Sequence, residues 1–221
     1  MIAAVIVAAG SGERLGAGRP KALVELSGRP LYEWSLEVLL GAPSVERVVV
    51  VLPAEAEVEL PAASTRVDGG PSRSHSVRAG VRACERAQQI LVHDAARPLI
   101  SGALVETLIE RLAADELADG AVAAAPVADT IKRADAAGAV TATLQREGLW
   151  AIQTPQLFRA AVLRAALEAD DATLAGATDD ASLIERAGGR IVIAPWLEPN
   201  FKVTTQADLV AAAGALADRA R

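Results

Sequence analysis

The most informative stretch of the sequence is residues 2–16, Ile2-Ala3-Ala4-Val5-Ile6-Val7-Ala8-Ala9-Gly10-Ser11-Gly12-Glu13-Arg14-Leu15-Gly16. Its apolar first part is typical of a strand buried on both faces, as in a parallel sheet. Glycines follow directly, at the end of the strand where open α/β sheets bind ligands. Glycines let backbone N–H groups approach phosphate oxygens, and Arg14 with Lys21 adds positive charge. The stretch therefore predicts a phosphate-binding loop, with a purely structural turn as the alternative.

Two common glycine-rich fingerprints do not match this loop. The dinucleotide-binding pattern requires glycine where Leu15 stands, and Gly16 comes one residue too late. The phosphate loop of nucleoside triphosphatases requires Lys followed by Ser or Thr after its last glycine, and the sequence has no such pair there. These mismatches disfavour a dehydrogenase and a nucleoside triphosphatase of that type.

The rest of the chain alternates short apolar runs with amphipathic segments. This alternation predicts an α/β fold, Rossmann-like, with a mostly parallel sheet and helices on both of its faces. The predicted strands are Ile2–Val7, Val48–Leu52, Ile90–Val92, Ala121–Ala125 and Ile191–Ala194. The predicted helices run from Pro30 as first residue to about Leu40, over Ser74–Arg86, from a Ser101 cap to about Ala114, over Leu157–Ala169, over Asp179–Ala187, and from Thr205 with Asp208 in a capping box.

Residues 131–146 interrupt this alternation, because they are polar, rich in Ala, Gly and Thr, and lack helical periodicity. Asp135–Ala139 is typical of a hairpin tip, with Gly138 available for the turn. A hairpin that leaves an α/β body has little core of its own. We therefore expect a β-arm that docks on a second subunit and forms a homodimer, with a solvated loop as the alternative. The sequence has no linker, so we expect one domain over residues 1–221.

Composition and charge narrow the function classes. The chain has 221 residues and a net charge of -6, which argues against binding duplex nucleic acid. Its single cysteine excludes an internal disulfide, and two histidines with one cysteine argue against a zinc cluster. The sequence has no apolar run of about 18 residues and no basic region before its apolar start. We therefore expect a cytoplasmic protein that does not contact membranes.

Local charge is positive in two segments of this acidic chain. Residues 1–30 carry four basic and two acidic side chains, and residues 68–100 carry five and three, so each has a net charge of +2. Only three lysines occur among 22 basic residues, Lys21, Lys132 and Lys202. Lys202 stands just before a predicted helix, where the ammonium group and the helix dipole both favour an anion. A small anionic substrate is therefore expected.

The segment His93-Asp94-Ala95-Ala96-Arg97-Pro98 follows a predicted strand. A carboxylate at the end of a strand is well placed for a metal, and a single carboxylate suits Mg²⁺, which keeps several waters and also takes substrate phosphate oxygens. The alternative is a local ion pair between Asp94 and Arg97. His93 is expected to pack or to form hydrogen bonds rather than to act as a base.

The segment Asp68–Val77 places two glycines before a helix start rich in hydroxyl groups. Its N–H and hydroxyl groups are suited to contact the edge of a base. A plain capped helix would have the same sequence, so both interpretations stay open at this point.

Taken together, these motifs resemble a known family. The Ala8–Lys21 loop resembles the signature of sugar nucleotidyltransferases, and the later motifs resemble the 2-C-methyl-D-erythritol 4-phosphate cytidylyltransferase family of the non-mevalonate isoprenoid pathway. The resemblance covers nearly the whole chain. The later motifs are Gly69-Gly70 with Arg73 and Ser76-Val77, His93-Asp94-Ala95-Ala96-Arg97-Pro98, Asp129-Thr130-Ile131-Lys132, Thr154-Pro155-Gln156, Thr178-Asp179-Asp180 and Lys202-Val203-Thr204.

The resemblance implies transfer of CMP from CTP to methylerythritol phosphate with Mg²⁺, which gives 4-diphosphocytidyl-2-C-methyl-D-erythritol and pyrophosphate. It also implies a homodimer joined through the β-arm, in which Thr130 and Arg146 reach the partner's substrate. The residue roles it implies are catalysis for Arg14, Lys21 and Lys202, Mg²⁺ binding for Asp94, nucleotide binding for Ala8, Ala9, Gly10, Gly12, Gly70 and Ser76, and substrate binding for Arg97, Thr130, Arg146, Thr154 and Thr178.

Two positions depart from the family pattern. Pro71 stands where members often carry an acidic residue, and Pro has neither a carboxylate nor an N–H group. Ala22 stands where a polar residue often follows the lysine. A cytidylyltransferase for another alditol phosphate, such as ribitol 5-phosphate, and a non-catalytic nucleotide-binding protein are the alternative functions.

Overall fold

The computed structural model describes residues 1–10 and 20–219. The strands are β1 Ile2–Val7, β2 Glu25–Leu26, β3 Arg29–Pro30, β4 Val45–Leu52, β5 Ser64–Asp68, β6 Gln89–Asp94, β7 Gly120–Pro126, β8 Lys132–Ala134, β9 Val140–Thr143, β10 Trp150–Arg159 and β11 Ile191–Pro195. The helices are α1 Leu31–Gly41, α2 Arg73–Arg82, α3 Gly102–Ala113, α4 Ala160–Ala166, α5 Asp171–Gly176, α6 Asp180–Arg186 and α7 Gln206–Arg219.

Seven of these strands form one sheet, in the order β11-β7-β10-β6-β1-β4-β5. Strand β10 runs antiparallel to both of its neighbours, β6 and β7, and the remaining described pairs of this sheet are parallel. The predicted mostly parallel sheet is confirmed, and each of the five predicted strands lies within a strand of it. The edge strand β5 was not predicted, because only five residues, four of them polar, form it.

Helices cover both faces of the sheet, as the sequence predicts. Consecutive residues of β1 point to opposite faces, so Ile6 packs in a cluster with Leu36 of α1 and Leu108 of α3. On the other face, Val5 packs in a cluster with Val77 of α2. Burial of each large aliphatic side chain is worth about 1.5–3 kcal/mol. An aliphatic core therefore holds the sheet between two helical layers.

The largest difference from the predicted elements is at residues 157–169. The sequence predicts a helix over Leu157–Ala169, but Leu157 and Phe158 belong to β10 and the helix starts only at Ala160. Leu157 and Phe158 are fully buried, one on each face of a central strand. Because both faces are buried, the sequence lacks the alternation of polar and apolar residues that indicates a strand. Arg159, at the junction, provides no side-chain cap that would indicate a helix start.

Smaller differences concern helix ends. Pro30 is the N-cap residue of α1 rather than its first residue, and α2 ends at Arg82 rather than at Arg86. Two predicted caps are confirmed, since the Ser101 hydroxyl accepts from the N–H of Leu104 and the Thr205 hydroxyl accepts from the N–H of Asp208. The longest described helix, α7, has 14 residues, so no described helix is long and apolar enough to cross a bilayer.

The predicted hairpin is present as β8 and β9, which pair antiparallel away from the large sheet. Its tip is built by Asp135, whose carboxylate accepts hydrogen bonds from the N–H groups of Ala137 and Ala139 at 3.0 and 2.9 Å. Gly138 takes a positive φ of 82°, a conformation that favours glycine. Nearly all of the hairpin is exposed. Its docking on a second subunit stays a prediction.

Candidate active site

The described site residues predicted in the body of the protein converge at one edge of the sheet. Val7, at the end of β1, pairs in register with Asp94, at the end of β6, so Ala8 and Ala95 leave the sheet side by side. The turn after β5 closes the same edge, where the N–H of Gly69 donates to the carbonyl of Leu52. The carboxyl ends of parallel strands are the usual ligand-binding edge of such sheets.

A cleft of about 680 Å³ opens at this edge. Its lining combines backbone and small side chains with the charged side chains of Lys21, Arg73, Asp94 and Lys202. Among the predicted site residues, its lining contains Ala8, Ala9, Gly10, Lys21, Gly70, Ser76, Asp94 and Lys202. The predicted residues Gly12 and Arg14 lie outside the described residues. We refer to this space as the nucleotide cleft.

The Gly69-Gly70 turn comes so close to its neighbours that it requires glycine. A Cβ atom on Gly69 would lie 2.3 Å from the Cβ of Ala9, and one on Gly70 would lie 2.5 Å from the Cβ of His75. The N–H of Gly70 donates to the Ser76 hydroxyl at 3.1 Å. Pro71 lines the cleft next to them. The turn is therefore a tightly packed wall of the cleft and not merely a helix cap.

Asp94 is at the centre of the charged side chains that line the cleft, where it contacts Arg73 and Lys202. Its Oδ1 accepts a hydrogen bond from Arg73 Nε at 2.9 Å, and its Oδ2 accepts one from Lys202 Nζ at 2.7 Å. Burial alone would raise the pKa of Asp94, but Arg73 and Lys202 hold it well below its usual range. Asp94 is therefore ionised at neutral pH. Its described ion pairs are with these two residues, and the alternative pair with Arg97 is not formed.

Arg73 is the main charged residue of the site that the assignment from sequence missed. Its Nη1 lies 2.9 Å from Oδ2 of Asp180, which is fully buried. The pair is not aligned as a hydrogen bond, and Arg73 Nη2 and Asp180 Oδ1 have no hydrogen-bond partner within the described ranges. Burial alone would lower the pKa of Arg73, but Asp180 and Asp94 raise it, so the guanidinium stays charged. The only sequence signal for these two residues was that Arg73 lies in the motif after Gly69-Gly70 and that Asp180 ends the motif Thr178-Asp179-Asp180.

His93 supports the backbone of Asp94 and is not placed to act as a base. Burial lowers the pKa of His93 to about 4, so its ring is neutral at pH 7. Its Nε2 lies 3.2 Å from the carbonyl of Arg97, which can only accept, so we assign the proton to Nε2. The Thr154 hydroxyl then donates to Nδ1 and accepts from the N–H of Asp94 at 3.0 Å. This agrees with the hydrogen-bonding role expected from the sequence.

A second cavity of about 440 Å³ adjoins the nucleotide cleft at these charged side chains. Its lining includes the predicted residues Arg97, Thr154 and Thr178 together with side chains of β10 and α6. We refer to it as the acceptor pocket. Of the residues described as lining the two cavities, Arg73, Asp94 and Lys202 line both. These three side chains, which we call the shared wall, are where ligands in the two cavities would meet.

The segment before α7 is tied to the loop after β6, and this places Lys202 in the shared wall. The N–H of Val203 donates to the carbonyl of Ala96 at 2.8 Å, and Arg97 Nη1 donates to the carbonyl of Asn200 at 2.8 Å. Lys202 thereby reaches Asp94 across 108 positions of sequence. Such a contact between distant segments gives no local pattern in the sequence.

The two predicted site residues of the arm lie elsewhere. Neither Thr130 nor Arg146 belongs to the described lining of either cavity. Thr130 is exposed, and exposed Arg146 donates through Nη1 to the carbonyl of Ala128 at the base of the arm. Within one chain, the structure therefore brings together the predicted site residues of the body but not those of the arm.

The donor set for a metal is small. In the described ranges no group of three or more His, Cys, Asp or Glu side chains is placed to hold a metal ion. A cation in this cleft would therefore rely on Asp94 together with oxygen atoms of its substrate and water.

The sheet is mostly parallel, a glycine-lined cleft lies at its carboxyl edge, and charged side chains stand between the two cavities. This combination is typical of an α/β protein of the nucleotidyltransferase class. A family model described as 2-C-methyl-D-erythritol 4-phosphate cytidylyltransferase matches residues 2–218. The chain belongs to this family. The resemblance inferred from the motifs is thereby confirmed.

Curated relatives and solved structures agree with this assignment. The chain is 43% identical to the 2-C-methyl-D-erythritol 4-phosphate cytidylyltransferase of Rhodococcus jostii, over 96% of this chain and 93% of that protein. It is 45% identical to that of Aromatoleum aromaticum, over 98% and 95%. The crystal structure of the Thermus thermophilus enzyme has a TM-score of 0.82 at 32% identity and covers 99% of this chain and all of that one.

Proposed function

We propose that the chain transfers the CMP group of CTP to 2-C-methyl-D-erythritol 4-phosphate, with Mg²⁺ at Asp94, and builds each active site from two subunits. The transfer of CMP from CTP to methylerythritol phosphate follows from family membership; the cation, the residue roles and the subunit arrangement are the parts we add. The observation that supports them best is the shared wall, because CTP in one cavity and the polyol phosphate in the other would meet at Arg73, Asp94 and Lys202.

The reaction is an in-line displacement at phosphorus. An oxygen of the methylerythritol phosphate attacks the α-phosphorus of CTP, and the bond from that phosphorus to the bridging oxygen breaks as pyrophosphate leaves. The attacking phosphate has a second pKa of about 6, so it is largely deprotonated at neutral pH and needs no general base. This fits the neutral, hydrogen-bonded state of His93.

The main obstacle is repulsion between two anions. Lys21 lies in the nucleotide cleft and Lys202 in the shared wall, so their ammonium groups are suited to bind phosphate oxygens and hold the reactants in line. We assign charge stabilisation on the leaving pyrophosphate to Lys21 and, by family resemblance, to Arg14. Ala8, Ala9, Gly10, Gly70 and Ser76 are assigned to the nucleotide by the same resemblance, and so is Gly12.

Asp94 has the chemistry of a Mg²⁺ ligand. Mg²⁺ binds through one or two carboxylates and completes its shell with substrate phosphates and waters. Each carboxylate oxygen has two acceptor sites, and Arg73 and Lys202 each use one, so the ionised group keeps acceptor sites for a cation. When bound, the cation neutralises charge on the phosphates. We expect activity to disappear on chelation and to return with added Mg²⁺.

The acceptor pocket offers groups for a polyol phosphate. We assign the phosphate to Arg97 and the hydroxyls to Thr154 and Thr178. Arg97 lines this pocket, and its guanidinium has further N–H groups beyond Nη1, which donates to the carbonyl of Asn200. Ribitol 5-phosphate is the competing acceptor, and pyrophosphate release with CTP and each polyol phosphate distinguishes the two. Because both substrates are charged metabolites, we place the reaction in the cytoplasm.

We assign Thr130 and Arg146 to the site of the partner subunit, since a guanidinium can form two hydrogen bonds to one phosphate group. The test mixes two inactive variants, Lys21→Ala and Arg146→Ala. In a mixed dimer one site carries both lesions and the other carries neither. Activity should therefore return to about a quarter of wild type after random exchange, since roughly half of the dimers are mixed and each has one intact site.

Two controls accompany this experiment. Subunit exchange is demonstrated with differently tagged chains, and each variant is also incubated alone. Exchange without recovery of activity would contradict a site shared between subunits. Recovery in the mixture alone would support it, because neither parent can regain activity by itself.

A further inference from the structure

Four side chains of alternating charge contact one another in series. Three of them form the shared wall, and the fourth, Asp180, lies behind it. Lys202 Nζ lies 2.7 Å from Asp94, Arg73 Nε lies 2.9 Å from the other oxygen of Asp94, and Arg73 Nη1 lies 2.9 Å from Asp180. Burial raises the pKa of Asp180, and the charge of Arg73 opposes this rise, so the four formal charges cancel when Asp180 is ionised. The reaction as described above uses Asp94 and Lys202, but it gives no role to Arg73 or Asp180.

Asp180 is too deeply buried to reach a substrate. Its side chain is fully buried, and it is absent from the described lining of both cavities. A buried carboxylate is costly unless it is paired, and its described ion pair is with Arg73. The described side-chain contact between Asp180 and the shared wall is therefore its ion pair with Arg73.

Arg73 is held from both sides. It is the first residue of α2, and the Ser72 cap fixes its backbone. A guanidinium is planar and presents its donors in a rigid fork, so Nε on Asp94 and Nη1 near Asp180 fix its plane. An ammonium group is a single charge on a flexible stem and cannot reproduce this geometry. Arg73 thus limits where the carboxylate of Asp94 can lie.

Asp180 also connects this fork to the acceptor pocket. It is the first residue of α6, and Asp179, Ala181, Ser182 and Glu185 around it line that pocket. The helix that forms one side of the acceptor pocket therefore also carries the counter-charge that holds Arg73. The carboxylate of Asp94 is positioned relative to both cavities by the same pair.

We propose that Arg73 and Asp180 are positioning residues that hold the carboxylate of Asp94 in place between the nucleotide and the acceptor. This inference rests on the proposed function. Arg73 lines both cavities, but its Nη1 and Nη2 are buried and its Nε donates to Asp94. The inference therefore assigns no substrate contact to either residue, and it predicts a loss of turnover rather than a loss of CTP binding.

The test compares Arg73→Lys and Asp180→Asn with two matched controls. Arg82 also lies on α2 and pairs with Glu168 on the surface, so Arg82→Lys and Glu168→Gln change an arginine–carboxylate pair away from the site. We expect kcat to fall about 100-fold in Arg73→Lys and about 10-fold in Asp180→Asn. The KM for CTP and the Kd of CTP from calorimetry should stay within about threefold of wild type, and both controls should match wild type.

The double variant tests whether the two residues act together. If Asp180 acts through Arg73, Asp180→Asn should have little further effect on kcat in the Arg73→Lys background. Additive losses of kcat would overturn the link between them. Unchanged kcat in both single variants would overturn the proposal, and so would a rise in the Kd of CTP that matches the loss of kcat/KM.

Folding and function are checked separately. Circular dichroism and thermal unfolding confirm the fold, and if Arg73→Lys does not fold, Asp180→Asn, which keeps the shape of the side chain, decides the question. An inactive wild type would count against the proposed function alone. Crystal structures of wild type and Asp180→Asn would then decide, because the inference predicts a displaced Asp94 side chain and an unmoved one would overturn it.

Discussion

The shared wall and the arm hold their polar side chains in opposite ways. In the shared wall, Asp94 bonds to Arg73 and Lys202, which are 21 and 108 positions away. In the arm, the bonds are local, from Asp135 to backbone groups two and four positions away, and the side chains are exposed. The geometry of the wall thus depends on the whole body of the protein, whereas the arm largely determines its own shape. A change in the wall should affect both stability and turnover, and a change in the arm should leave the stability of the body almost unaltered.

The largest effect is expected for Asp94→Asn. Loss of the carboxylate leaves Arg73 and Lys202 without their common partner, which should lower the free energy of unfolding by about 3 kcal/mol. We take the lower end of the range for buried pairs because solvent screens the partly exposed Lys202. The kcat should fall about 1000-fold. Urea unfolding and steady-state kinetics measure the two effects, and full activity at low Mg²⁺ would remove Asp94 from the metal site.

A smaller effect than that of Asp94→Asn is expected when Gly70 of the cleft is compared with Gly138 of the arm. A Cβ on Gly70 would come within 2.5 Å of His75, so Gly70→Ala should displace the turn and raise the KM for CTP about 10-fold. Gly138 has a positive φ but open space around it, so Gly138→Ala should strain the arm tip by about 1 kcal/mol and leave the KM for CTP unchanged. Equal KM values in the two variants would contradict the contrast between wall and arm.

The smallest effect concerns Asp208, which is half-buried, unlike the exposed arm residues, and caps a helix of the body. Its hydrogen bonds with the Thr204 side chain and with the N–H groups of Thr204 and Thr205 lower the pKa of Asp208 to about 2. A lowered pKa means that this stabilisation is present above about pH 4 and is lost as the pH falls towards 2. Asp208→Asn should lower Tm by about 2 °C at pH 7. The difference should vanish near pH 2, and a difference that grows in acid would exclude this cap.

The sequence predicts features that depend on neighbouring residues. The apolar run Ile2–Val7, the caps at Ser101 and Thr205 and the turn at Gly138 each carry their signal within a few positions, and the structure contains all four. Strand β10 has no such signal, because its second half is buried on both faces and leads straight into a helix.

The site follows the same rule. The sequence predicts Ala8, Gly70, Asp94 and Lys202 as separate motifs, and the fold brings them to one cleft. It does not predict that Arg73 replaces Arg97 as the partner of Asp94, since that depends on how α2 lies against β6. Ion pairs between distant segments are set by the packing of the sheet and its helices, so no local pattern indicates them.

The position of β10 also has a consequence for the order in which the chain folds during synthesis. Strands β5, β4, β1 and β6 are complete once residue 94 has been made, and they pair only with one another on that side of the sheet. Strand β7 follows soon after, but it joins the sheet only through β10, which ends at Arg159. The growing chain must therefore carry β7 without its sheet partner while the arm is translated. The edge of β6 remains an open, aggregation-prone strand edge until β10 fills it.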